Sequence, residues 1–181
     1  RKLKWLALDK TGTITHGKPV QTDFTVLNGG DAAQVRSLAA SLASRSDHPV
    51  SRAVAQAAQA DGVALREVQD FEALAGRGTK GRIDGTLYYL GNHRLIHEQG
   101  RCSDALEAQL AALEEQGKTV ILLADEENVH ALFAVADTVK DSSRQAIAEL
   151  HALGVQTLML TGDNVHTAAA IAAQVGIYEA R

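Results

Sequence analysis

Two apolar runs that end in the same kind of loop limit this chain more than any other feature. Leu3–Leu8 leads straight into Asp9-Lys10-Thr11-Gly12-Thr13, and Val155–Leu160 leads into Thr161-Gly162-Asp163-Asn164. A short apolar run bounded by turn formers reads as a buried strand. Ligands in open α/β sheets gather beyond the carboxyl ends of the strands, so two polar loops at two such ends mark one expected site. Between them the period changes. Thr79–Ile83 and Thr86–Leu90 are strand-like and joined by Asp84-Gly85, a strong two-residue hairpin signal. The ends of the chain therefore read as α/β and the middle as an α+β insert.

Local punctuation fills in the elements. Gly17, Pro19 and Gln21 are expected to interrupt the first pattern, with a strand resuming at Phe24–Leu27. Asp31 is the expected N-cap of a helix carrying Val35, Leu38 and Leu42, and Pro49 starts a second helix that stops near Gly62. Asp104–Gln116 and Ser142–Leu153 read as amphipathic helices, and Thr119–Ala124 and Val129–Ala136 as strands. An Ala-rich helix over Val165–Val175 stops at Gly176, and Trp5 and Met159 are expected in the core. Breaks near Pro19 and Gly117 divide the chain into 1–19, 20–117 and 118–181.

Composition narrows the chemistry. A net charge of -4 carries no basic footprint for nucleic acid, which favours a small-molecule ligand. The single cysteine, Cys102, rules out an internal disulfide and suits a reducing compartment. The longest apolar runs fall far short of the roughly 20 residues of a membrane span. The chain opens in mid-pattern without a Met, and reads as a piece of something longer.

A carboxylate projecting from a strand end, as Asp9 is expected to do, can attack phosphorus and form an aspartyl-phosphate. Gly12 lets backbone approach anionic oxygens, Thr11 and Thr13 offer hydroxyls, and Lys10 adds positive charge. At the second strand end Thr161 and Gly162 are placed to hold phosphoryl oxygens, with Asp163 beside them. A soluble phosphatase using the same nucleophile would carry a second Asp two residues on, where this chain has Thr11.

Asp9-Lys10-Thr11-Gly12-Thr13-Ile14-Thr15 resembles the phosphorylation motif of P-type ATPases, and Thr161-Gly162-Asp163-Asn164 their second phosphate-site motif. The resemblance implies a haloacid-dehalogenase-like phosphorylation domain, α/β with a parallel sheet truncated at its C-terminal end, and an inserted α+β nucleotide-binding domain. It implies ATP and Mg²⁺ as cofactors, with Asp9 taking the γ-phosphoryl group, Asp9 and Thr11 holding Mg²⁺, and Thr161 contacting phosphate. Ser46-Asp47-His48-Pro49, Gly76-Arg77-Gly78 and Gly91-Asn92 resemble in order the nucleotide-pocket elements of the heavy-metal pumps. By that resemblance His48 orients adenine, while Gly76, Gly78, Gly91 and Asn92 border the nucleotide. Asp137 and Lys140 resemble a D-x-x-K element, and serve either to close the phosphorylation domain or simply to start a helix.

The chain also departs from the pattern. Ala43 stands where such pumps usually carry a Glu, so either adenine is held without that carboxylate, with help from Glu72 or Asp47, or nucleotide affinity is lower. No G-D-G-x-N-D element or preceding lysine follows, so the chain alone is expected to bind nucleotide with little or no turnover. The expected partners are the membrane and actuator domains of the same pump, the expected location the cytoplasmic side of an inner membrane, and the expected cargo Zn²⁺, Cd²⁺ or Pb²⁺ ahead of Cu⁺. A stand-alone nucleotide-binding module is the alternative. His93 and His97, spaced i, i+4, lack an evident Cys or carboxylate partner and read as solvated histidines.

Overall fold

The computed structural model describes residues 4–10, 14–160, 165–177 and 179–180. It divides into two compact units, one of residues 1–19, 112–118 and 136–181, the other of 20–111 and 119–135. In the first unit β1 (Lys4–Asp9), β8 (Val155–Leu160) and β9 (Glu179–Ala180) form a sheet in the order β1-β8-β9. Both pairings are parallel. Parallel neighbours require crossover connections. The segment between β8 and β9 contains α6 (Val165–Val175), and α5 (Asp141–Ala152) leads into β8. Ile14, Val139, Ile147, Met159, Ala168 and Ile171 are among the buried residues of this unit's core, with Leu8 packed against them.

Burial corrects the reading of β1. Trp5 and Leu6, expected inside, are 57% and 40% exposed, whereas Met159 on the central strand is fully buried. β1 is an edge strand among the described residues, and of its residues only Leu8 reaches the core.

The second unit is built on a sheet of order β2-β7-β6-β5-β4-β3, antiparallel from β7 to β3. Its strands are β2 (Thr15–Val26), β3 (Gln69–Leu74), β4 (Gly78–Ile83), β5 (Thr86–Gly91), β6 (Thr119–Ala124) and β7 (Val129–Val139). β2 runs unbroken through Gly17 and Pro19, where an interruption was expected. It lies at the sheet edge, where proline's missing N–H costs no ladder bond, and Gly17 takes a φ of 72° that other residues avoid. Asp84 and Gly85 both have positive φ, as a tight hairpin turn requires.

β6 and β7 also shift the domain boundary. Expected to follow the return at Gly117, they instead pair with β5 and with each other, and Thr119–Val135 belongs to the second unit. Backbone pairing with β5 outweighs the local punctuation at Gly117.

α1 (Ala32–Ala43) and α2 (Pro49–Ala60) supply one apolar layer. Asp31 caps α1 by accepting from the N–H groups of Ala33 and Gln34 at 2.9 and 3.2 Å. Leu38, Leu42, Ala53 and Val54 meet Ile121, Leu123 and Phe133 in one cluster. Phe133 also stacks on Phe24, with ring centroids 5.0 Å apart. α3 (His93–Glu98) packs on β5 and β6, and α4 (Asp104–Glu115) buries Leu106 and Leu110. The segment holding His93 and His97 is thus helical, and both rings contact Glu107, a carboxylate partner that the sequence reading did not find.

Phe133 is fully buried where the helix layer meets the sheet, so truncation removes transfer energy and leaves a cavity. Phe133→Ala should cost about 3–5 kcal/mol. Urea unfolding followed by circular dichroism should show the midpoint falling with an unchanged slope.

Candidate functional site

Gly78 governs the local geometry of the expected nucleotide site. It opens β4 at a φ of 137°, and an added Cβ would sit 2.2 Å from the Leu90 carbonyl oxygen and 2.7 Å from Gly91 Cα. Only a residue without a side chain allows this approach between backbones. The loop before it is held by Asn92, whose side-chain N–H₂ donates to the Gly76 carbonyl at 2.8 Å and whose backbone N–H donates to the Arg77 carbonyl at 2.8 Å. Asn92 Oδ1 in turn accepts from the Leu95 N–H at 3.0 Å and caps α3.

This arrangement forms one wall of a cavity of about 680 Å³ within the second unit. His48, Gly76, Gly78 and Asn92, far apart in sequence, all line it, as do Asp47 and Phe71. The volume falls within the roughly 300–1,000 Å³ of small-molecule sites. His48 caps α2, its Nδ1 accepting from the Val50 N–H at 3.2 Å. That bond fixes Nδ1 as the acceptor and leaves Nε2–H as the ring's remaining hydrogen-bonding group.

The cavity also contains groups that sequence reading missed. The Thr79 hydroxyl is buried in the cavity wall without a hydrogen-bond partner among the described residues. Buried polar groups are nearly always satisfied, which sets this hydroxyl apart. The Arg45 guanidinium lies 5.6 Å from the Phe71 ring centroid. Arg77 makes a paired contact with Glu98, Nε to Oε2 at 2.8 Å and Nη2 to Oε1 at 3.0 Å, and this bonding holds the Glu98 carboxyl below its ordinary range. Arg77 thereby ties the loop to the last turn of α3.

Two expectations change here. Glu72 does not line the cavity; its neighbours Phe71 and Ala73 do, and strand alternation turns Glu72 away to Lys80 at 3.4 Å. Gly91 is small because of packing, since a Cβ there would meet Leu95 Cδ2 at 2.3 Å, and it does not line the cavity. Ala43 is wholly buried in the core. Asp47 is the acidic residue that lines the cavity.

In the first unit Asp9 ends β1, exposed and opposite Leu160 in the parallel register, while Lys10 is buried at 5%. The Thr15 hydroxyl donates to Asp137 Oδ2 at 2.5 Å and lies 3.3 Å from the Lys10 carbonyl. Asp137 also accepts from the Lys18 N–H at 3.2 Å, and the Lys140 N–H donates to the Ile14 carbonyl at 3.1 Å. Asp137 thus braces the segment that leaves Lys10. Thr11, Gly12, Thr13, Thr161, Gly162, Asp163 and Asn164 lie outside the described residues.

The chain belongs to the haloacid dehalogenase-like hydrolase family, whose model matches residues 3–181. It is 42% identical over 181 residues to a probable cadmium-transporting ATPase of Staphylococcus aureus strain MRSA252, covering 97% of this chain and 25% of that protein. It is 43% identical over 172 residues to a copper-exporting P-type ATPase of Staphylococcus saprophyticus, covering 95% of this chain and 21% of that one. The chain therefore spans about a quarter of the length of the curated relatives it matches. The crystal structure of a zinc-transporting PIB-type ATPase in the E2.Pi state superposes with a TM-score of 0.86 at 32% identity, covering 100% of this chain and 29% of that one. A catalytic CPx-ATPase domain, CopB-B, shares the fold with a TM-score of 0.71 at 22% identity, covering 99% and 60%.

Two glycines separate packing from conformation. Gly76 has a φ of 69° but open space where a Cβ would go, so Gly76→Ala should cost only the left-handed backbone's ~1–2 kcal/mol. Gly78→Ala adds an overpacking cost of about 1–3 kcal/mol against fixed backbone. Thermal unfolding of the two variants should rank Gly78→Ala clearly lower.

Proposed function

We propose that this chain is the ATP-binding and phosphorylation unit of a heavy-metal export pump of the P type, with the second unit holding the nucleotide and Asp9 accepting the phosphoryl group. The observation that carries the reading is the cavity, which gathers His48, Gly76, Gly78 and Asn92 around an orphaned Thr79 hydroxyl. Phe71 supplies an apolar face for adenine, His48 Nε2–H and Asp47 offer hydrogen bonds to its polar edge, and Thr79 satisfies itself on the ligand. Gly76 leaves bare backbone on the rim.

Phosphoryl transfer is mainly positioning and charge neutralisation. An Asp9 oxygen forms its bond to the γ-phosphorus as the bond to the β,γ-bridging oxygen breaks, and ADP leaves with that electron pair. Mg²⁺ fits the donor chemistry, since the Asp9 carboxylate and the Thr11 carbonyl are hard oxygen ligands. When bound, it neutralises charge on the transferring oxygens. Lys10 adds positive charge beside Asp9, while Thr13, Thr161, Gly162 and Asp163 complete the phosphate site. The chain by itself binds nucleotide with little turnover, and works with membrane and actuator domains of the same pump on the cytoplasmic side of an inner membrane. Among the described residues no helix is long and apolar enough to cross a membrane. Among the similar proteins are named cadmium, copper and zinc transporters, and the cargo proposed is Zn²⁺, Cd²⁺ or Pb²⁺, with Cu⁺ second.

Titrating the labelled chain with ATP should shift the amide resonances of His48, Gly76, Gly78 and Asn92. Shifts confined to the neighbourhood of Asp9 would place the nucleotide elsewhere. In membranes carrying the full-length protein, Zn²⁺, Cd²⁺ or Pb²⁺ should support an acid-stable phosphoenzyme from ATP, and Asp9→Asn should abolish it, because an amide is not a usable nucleophile. Wild-type phosphoenzyme levels in Asp9→Asn would remove Asp9 from its role, and stimulation by Cu⁺ alone would overturn the cargo.

A further inference from the structure

Away from the cavity, α3 and the start of α4 bring together side chains that nucleotide binding does not use. His93 Nε2 lies 2.6 Å from Glu107 Oε2, and His97 Nδ1 lies 3.0 Å from Glu107 Oε1. The Cys102 thiol hydrogen-bonds the same carboxylate. One ring nitrogen of His93, the sulfur of Cys102 and one oxygen of Glu107 all lie within 4.8 Å of one another. All of these residues belong to the second unit.

We propose that His93, Cys102 and Glu107 form a binding site for a borderline-soft divalent cation, Zn²⁺ or Cd²⁺, with His97 positioning the Glu107 carboxylate. The donor set is the first argument. One thiolate, one imidazole and one carboxylate suit zinc-like ions, whereas Mg²⁺ and Ca²⁺ call for oxygen alone. Geometry is the second. Zinc bonds of about 2.0–2.3 Å in a tetrahedron place ligand atoms roughly 3.3–3.6 Å apart, so small rotations bring the three atoms into reach. At 2.6 Å the His93–Glu107 contact must open by less than about 1 Å to admit the ion.

Access is the third argument. The His93 and Glu107 side chains are 28% and 34% exposed, leaving the fourth coordination position to water. The Cys102 thiol is partly buried beside Glu107. On binding, the S–H proton passes to solvent as the metal–sulfur bond forms. The site stands independently of the nucleotide reading.

The test is titration of the metal-free 181-residue chain with Co²⁺, followed by displacement with Zn²⁺ or Cd²⁺. One equivalent should give the visible bands of four-coordinate cobalt together with a thiolate charge-transfer band. Cys102→Ser should abolish the charge-transfer band, and His93→Ala should weaken Zn²⁺ binding at least ~10-fold, as expected when a ligand is lost. Absence of the thiolate band in the wild-type chain, its survival in Cys102→Ser, or unchanged affinity in His93→Ala overturns the site. Should either variant misfold by circular dichroism, the wild-type chain decides: Zn²⁺ or Cd²⁺ should slow alkylation of Cys102, because a metal-bound sulfur is withdrawn from reaction. An equal alkylation rate with and without metal sinks the proposal.

Discussion

The close backbone approach at Gly78 is the constraint on which the rest of the second unit depends. With a hydrogen in place of a side chain, β4 begins against the Leu90 carbonyl and Gly91 Cα, at a separation no Cβ could share. That contact sets the exit of the Gly76-Arg77-Gly78 loop, and Asn92 then fastens it with bonds to the carbonyls of Gly76 and Arg77. The same asparagine caps α3. The cavity wall, the hairpin β4–β5 and the start of α3 are therefore fixed together. Gly78 shapes the cavity wall and does not yield space in it.

Much of this was legible from residues alone. Asp31 as a cap, Pro49 at a helix start, Asp84-Gly85 as a turn and Val165–Val175 as a helix all follow from local chemistry, and the structure has each of them. What escaped was set by pairing and burial. Pro19 reads as a breaker until β2 is known to lie on an edge, and Gly117 reads as a boundary until β6 is seen to pair with β5. Trp5 reads as core, yet among the described residues β1 has a single neighbour and leaves it exposed. The site divides in the same way. His48, Gly76, Gly78 and Asn92 carry motif information, whereas Thr79 is informative only through its buried, unsatisfied hydroxyl.

In the first unit the physical logic is one of delivery. Parallel pairing of β1 with β8 places Asp9 opposite Leu160, so the two strand ends that sequence singled out are neighbours. Asp137, held by Thr15 and the Lys18 N–H, anchors the chain as it leaves the buried Lys10. For the nucleophile role proposed for Asp9, such an element would limit the reorganisation that reaction requires. An exposed Asp9 beside a buried lysine backbone combines access with rigidity.

α3 links the cavity to the His93, Cys102 and Glu107 cluster through ordinary bonds. Its first residue follows Asn92, which holds the Gly76 carbonyl, and its last, Glu98, grips Arg77 through two hydrogen bonds. His93 and His97 meet α4 through Glu107. A six-residue helix has little stability of its own, so its position is decided by these end contacts. A cation drawing His93, Cys102 and Glu107 together would brace α3 against α4 and thereby restrict the loop that Asn92 and Arg77 hold. α3 touches both sites: Asn92 at its N-cap and Glu98 at its end hold the cavity loop, while His93 and His97 meet Glu107.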